Sequence, residues 1–310
     1  MNQHEIGRGI SLSVGASMVF ALLSGYTKWL APLDGLDIFA WRVVWTLPGA
    51  LALVVLRQRM PQARELLRRL RREPMTCAML LLVAALLGVQ LWIFLWAPLH
   101  GRALEVSLGY FLLPLTMVLV GRFHYHERLD VFQWLAVAFA LVGVLHELWM
   151  TRSFAWPTLV VALGYPPYFI LRRKINADPA VAFAVEMALL LPFAVAMLYA
   201  RDSWALVAHR PAMLFVLLPG LGLLSTIALA SYLGASRLLP MALFGILGYV
   251  EPVLLVGVAL VFLGEALAPG QLATYIPIWC AVGLTAVHSV RLLRRERAMR
   301  RDGAANRLPR

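Results

Sequence analysis

Three ionisable side chains sit where a bilayer-spanning helix would least tolerate them: Arg42 in "FAWRVVWTLP", Glu186 in "AVEMALLLPF" and Glu251 in "GYVEPVLLVG". A charge at the centre of a membrane helix costs roughly 2.5–3.5 kcal/mol on insertion scales, so such groups face a cavity or a partner. The guanidinium of Arg42 could hold a carboxylate or phosphate through a two-pronged hydrogen bond. Its plainer reading is a long stem snorkelling to an interface about 8 Å away. A carboxyl at Glu251, just before Pro252, would be desolvated, and burial disfavours its charged form. That is what a proton-coupling site requires, and a permanently protonated acid donating one hydrogen bond is the plainer reading. Glu186 has a stem too short to snorkel and is the second proton-coupling candidate. Mirror positions put Arg42 and Glu186 at opposite depths, so no pair between them is expected.

The other candidates are polar or aromatic. Gln90, in mid-run, could bond a substrate or a neighbouring helix. Trp92 and Trp96 are four apart and share a helix face, which suits either a substrate wall or an aromatic belt. Ser107 and Tyr110 also share a face. Tyr165 and Tyr168 flank the two prolines of "ALGYPPYFILRR", which are expected to break the helix at mid-depth, where a broken helix must line protein or a cavity. Tyr249 precedes Glu251 by two. "HYHE" at 124–127 has no third ligand nearby, so no metal site is expected. Cys77 and Cys280 lie in apolar runs and read as small core residues. No phosphate loop, dinucleotide fingerprint or hydrolase elbow occurs, and no cofactor is expected.

The elements that must position these residues are helices. The chain of 310 residues is 61% hydrophobic and 14% charged, whereas a soluble domain is about 25% charged. A span needs about 20 apolar residues. Ten stretches qualify, at roughly 9–30, 37–56, 75–97, 104–121, 131–149, 156–171, 179–199, 212–236, 239–263 and 271–290, the sixth being the weakest. Most of the 28 Lys and Arg fall on one side of this arrangement, in 57–73, 122–130, 172–178 and the tail 291–310. Arg102, Arg152, Arg201 and Arg210 make up the other side. The bias places both termini in the cytoplasm and accounts for the formal charge of +12 without a nucleic-acid partner. The basic stretch "RQRMPQARELLRRLRRE" could rest on an anionic inner leaflet with Leu66, Leu67 and Leu70 dipped into lipid, or be a solvated loop.

Two spacings recur. Pro114 precedes Glu127 by thirteen residues, as Pro252 precedes Glu265; Arg42 precedes Pro48 by six, as Glu186 precedes Pro192. The chain divides into two five-span units, 1–150 and 151–290. An odd number of spans per unit inverts the second, an arrangement found in transporters with a site between the repeats. Glu127 and Glu265 would then cap the loops that follow them.

These residues also carry a family resemblance. Ten spans with a "P…E" ending on the fourth and ninth resemble the EamA branch of the drug/metabolite transporter superfamily. "LEVSLGYFLLPL" followed by "ERLDVFQWLAVAFALVGVL" is similar to its RarD-like subgroup, while "GYVEP" around Glu251 departs from it. The resemblance implies a bacterial inner-membrane carrier, exporting metabolites or drugs through a central cavity. The expectation is an all-α integral membrane protein of ten helices in two inverted repeats, carrying small amphipathic solutes by alternating access. Proton coupling and uncoupled, facilitated passage of amino-acid-like metabolites are both open, and so is whether a homo-oligomer forms. A membrane enzyme built on Glu105 and His100 is the rival, disfavoured because the polar residues spread over many spans.

Overall fold

The computed structural model describes residues 3–99, 103–151 and 156–258, with separate positions between 270 and 287. The tenth expected span, the basic tail, Glu265 and His100 fall wholly or largely outside them, as do the side chains of Glu105 and Ser107. Among the described residues every regular element is helical. In order these are α1 (Gln3–Tyr26), α2 (Gly35–Leu56), α3 (Met60–Arg72), α4 (Pro74–Leu99), α5 (Ala103–Phe123), α6 (Val131–Thr151), α7 (Trp156–Ile175), α8 (Pro179–Ala200), α9 (Ser203–Ala208), α10 (Leu218–Leu238), α11 (Met241–Leu247) and α12 (Val250–Val258). Among the described residues six segments are long and apolar enough to cross a membrane: Glu5–Leu30, Gly35–Leu56, Pro74–Phe94, Val131–Met150, Pro179–Ala200 and Met213–Leu238.

α2 and α8 begin alike. Asp34 caps α2 by accepting from the amides of Leu36 and Asp37, each at 3.0 Å. Asp178 caps α8 by accepting from Ala180 at 3.0 Å and Val181 at 3.3 Å. Both helices carry an internal proline, Pro48 and Pro192, and both end at an arginine, Arg57 and Arg201. The residue that follows is left-handed in each case, Gln58 at φ 54° and Asp202 at φ 49°. Their buried faces correspond position by position: Phe39 with Phe183, Ala40 with Ala184, Arg42 with Glu186, Ala50 with Ala194. α2 packs along α8 and is tied to it at both ends. Arg201 pairs with Asp34 and, at 3.1 Å, with Asp37. At the other end Arg59 pairs with Asp178 at 3.4 Å.

The other principal contacts also join helices before residue 151 to helices after 156: α1 on α10 and α12, α4 on α7, α5 on α7 and α11, α2 on α10. The halves therefore share one core. At the α2–α10 crossing, a Cβ on Gly222 would lie 2.3 Å from the Trp45 carbonyl oxygen, and one on Gly49 would lie 2.4 Å from Thr226 Oγ1. Small residues let the two backbones approach.

Two expectations need correction, and a third helix has a break the sequence did not locate. "GYPPYF" does not break its helix: α7 runs through Pro166 and Pro167. A proline removes the N–H that would bond four residues back, so Pro166 frees the carbonyl of Ala162. Thr116 Oγ1 of α5 lies 2.9 Å from that oxygen and 2.8 Å from the Leu113 carbonyl of its own helix, so its one proton is shared between the two and gives the freed carbonyl a donor. The ninth span is interrupted at Gly248 and Tyr249, about one turn before Pro252. Pro252 falls in the first turn of α12, where no N–H is required. Finally, Leu66 of the basic segment is not in lipid. The segment folds as α3, and Leu66 is buried in the protein core while Leu67 is exposed.

Candidate functional site

A cavity opens between α1, α2, α4, α5, α7, α10, α11 and α12. Its empty volume is about 850 Å³ when space open to solvent is counted. Most of its wall is aromatic and aliphatic. Phe94 and Tyr110 meet edge to face at 5.9 Å, as do Phe20 and Tyr232. Tyr110 lies 6.4 Å from Tyr165, and Tyr165 6.4 Å from Tyr168, ring centre to ring centre.

Three polar side chains interrupt that wall: Arg42, Gln90 and Glu251. Arg42 is on the buried face of α2 and is 3% exposed, so it does not snorkel. Its Nε donates to Ser225 Oγ of α10 at 2.8 Å, while Nη2 has no hydrogen-bond partner. Gln90 of α4 is 1% exposed. Its Nε2 donates to the carbonyl of Val160 in α7 at 2.8 Å, and Oε1 has no partner. Glu251 sits in the first turn of α12, where the helix dipole favours negative charge. It is near enough to Arg42 for the two charges to interact.

The structure thus brings together Arg42, Gln90, Tyr110, Tyr165, Tyr168 and Glu251. It places the remaining expected residues elsewhere. Trp96 packs against Trp92 at 5.5 Å and Trp156 at 5.4 Å, in a cluster beside the cavity. Tyr249 is buried in a second cluster with Phe111 and Ile246, its hydroxyl without a partner. The Ser107 side chain is outside the described residues. Glu186 does not line the cavity. It forms an ion pair with Arg172, which also bonds the Pro179 carbonyl at 2.9 Å, and it accepts from Tyr168 at 3.2 Å. Arg172, assigned to a loop by the sequence, is in the last turn of α7 and 4% exposed. Tyr168 therefore connects the cavity wall to this buried pair.

Outside the helices, Glu127 accepts from the amide of Met241 at 2.7 Å and so caps α11, a helix of the other half, whereas the sequence pointed to the loop that follows Glu127 itself. At the Asp34 end, partial burial pushes the Asp34 carboxyl up. Hydrogen bonds from Asp37 and the Arg201 charge outweigh that and hold it below its usual range.

Comparison with known proteins now bears on what such a cavity serves. The model of the EamA-like transporter family matches residues 7–146. A protein of Pseudomonas aeruginosa described as chloramphenicol-sensitive protein RarD is 53% identical, over 94% of this chain and 97% of its own. The chain belongs to the EamA-like transporter family. An uncharacterized transporter of Pasteurella multocida is 38% identical over 87% of this chain and 92% of its own, and protein RarD of Escherichia coli 29% over 95% and 99%. A crystal structure at 17% identity superposes over 91% of this chain with a TM-score of 0.60, which supports a shared fold.

This EamA-like, RarD-like protein is a multi-pass membrane transporter, and the family implies a small-molecule substrate. Several of the transporter's cavity residues carried no signal in the sequence. Phe20, Phe94 and Phe244 are apolar residues in apolar helices. Tyr232 of the wall, and Ser225, which holds Arg42, could have been found as polar residues in mid-run, the mark that picked out Gln90.

Proposed function

We propose that this transporter is a secondary active exporter of small amphipathic metabolites or drugs, working by alternating access in the bacterial inner membrane with both termini cytoplasmic. The observation that carries the reading is the cavity in which Arg42 and Glu251, one from each half of the chain, share a mostly aromatic and aliphatic wall. An aromatic wall suits the apolar body of the solute, and the two ionisable groups suit its polar end. Glu251 is the leading proton carrier. Glu186 is second, reached only when Arg172 leaves it. Tyr110, Tyr165 and Tyr168 would form the substrate wall.

Ten spans in two inverted repeats, 1–150 and 151–290, are supported by several correspondences. α2 matches α8 in cap, proline, terminal arginine and buried face. The helix contacts pair off in the same sense: α1 with α10 as α7 with α4, α5 with α7 as α12 with α1. The family match over 7–146 has the length of one such repeat. The exposed arginines of α3, among them Arg68, would meet anionic headgroups of the inner leaflet.

The test is flux into proteoliposomes under an imposed pH gradient, with chloramphenicol the first solute because of the relative's name. Gradient-driven flux that Glu251→Gln abolishes is the expected result. Flux that Glu251→Gln leaves intact and pH-dependent removes Glu251 from the role. Flux indifferent to the gradient makes the protein an uncoupled facilitator.

A further inference from the structure

Two buried polar atoms at the cavity have nothing to bond, and they are of opposite kind. Nη2 of Arg42 is a donor and Oε1 of Gln90 is an acceptor. Neither arises from a loose side chain. Arg42 is fixed through Nε to Ser225. The Gln90 amide is fixed in its orientation because its nitrogen donates to the Val160 carbonyl at 2.8 Å, and a carbonyl cannot receive the amide's oxygen. The nitrogen end also lies hard against α7, where a Cβ on Gly164 would be 2.1 Å from it. The oxygen is therefore the end of the amide left for a ligand. Buried acceptors and donors are almost always met, and one left unmet is costly, so a ligand that meets both gains from each.

We propose that Gln90 determines specificity by accepting a hydrogen bond from a donor on the substrate, while Arg42 holds the substrate's anionic group. The class this selects is a small molecule with an apolar, ring-bearing body that carries both an anion and a hydrogen-bond donor. This rests on the transport reading of the cavity and adds the chemistry of what the cavity takes. A solute with the anion alone leaves Oε1 unmet and binds more weakly, in the way a site built for a substrate hydroxyl rejects the analogue lacking it.

Two probes isolate the Gln90 contact. 3-Phenyllactate and 3-phenylpropionate share the ring and the carboxylate and differ by one hydroxyl, with no change in charge to involve Glu251. Their dissociation constants are measured by calorimetry on the full-length protein in detergent, for wild type, Arg42→Ala, Gln90→Met and Gln90→Asn. Met is close to Gln in volume, and Asn keeps the amide but withdraws it by one carbon. The expected result is that wild type prefers the hydroxy acid about tenfold. Both Gln90 variants should bind the two probes alike while holding 3-phenylpropionate as wild type does, and that retained affinity shows them folded. Equal binding of the probes by wild type, or a preference that survives in Gln90→Met and Gln90→Asn, overturns the proposal. If Arg42→Ala then weakens both probes, the transport reading stands without it. Binding of neither probe by wild type overturns the proposed ligand class, and the gradient-driven flux assay separately decides whether the protein is a carrier.

Discussion

Arg42 and Ser225 lie far apart in sequence, yet Nε of the one donates to Oγ of the other at 2.8 Å. The bond ties α2 to α10 and sets the plane of the guanidinium at the cavity wall. It also uses Nε, whose place in a lysine is taken by a methylene.

Arg42→Lys keeps the charge and loses both the Ser225 tie and the planar fork. A hydrogen bond to a charged group contributes about 1.5–3 kcal/mol. Initial flux of an anionic solute into proteoliposomes should fall by roughly tenfold to a hundredfold. Unchanged flux would mean that position 42 supplies only a positive field.

The Arg172–Glu186 pair is buried on both sides. Breaking such a pair strands a charge, at a cost of about 3–5 kcal/mol, whereas replacing both members by apolar residues is often neutral. Glu186→Leu and Arg172→Met should each lower the unfolding temperature in detergent markedly, and the double variant should recover most of the loss. If the losses simply add, the two residues are not coupled.

Thr116→Val preserves shape and leaves the Ala162 carbonyl unmet. The expected destabilisation is about 1–3 kcal/mol. Restoring the N–H with Pro166→Ala should remove most of that penalty, so a double-mutant cycle gives a clear interaction energy between two residues on different helices. Additive effects would show that the hydroxyl does not compensate for the proline.

Asp34 is held below the ordinary carboxylate value of 3.8. Its contribution to stability is fully present above that value and is lost as pH falls through the lower folded one. Thermal scans from pH 6 down to pH 3 should show wild type losing stability in acid. Asp34→Asn should start lower and lose less. Parallel curves for the two proteins would exclude Asp34 as a source of the acid sensitivity.

Much of this was legible in the sequence. The expected span 179–199 became Pro179–Ala200, and 131–149 became Val131–Thr151. Arg42 and Glu251 stood out because a charge in an apolar run demands a reason. The phenylalanines of the cavity did not, because in a membrane protein lipid-facing and core-facing sides are both apolar and no stripe separates them. The course of α7 was misread for a different reason. Proline is a local signal, while the hydroxyl that offsets it comes from Thr116, outside the local window. Arg172 was taken for a loop charge because nothing near it in sequence shows that Glu186 of the next helix receives it.

The interleaving of early and late helices bears on how the chain is made. Synthesis delivers α1 to α6 first, but α2 has its flank only when α8 arrives and its Ser225 tie only with α10. Until then Arg42 sits in the bilayer without the neighbour that fixes it, a residue costing roughly 2.5–3.5 kcal/mol at a helix centre. The first half is therefore an insertion intermediate in need of its second half, and a ribosome stalled between α6 and α7 would leave a chain poised for degradation.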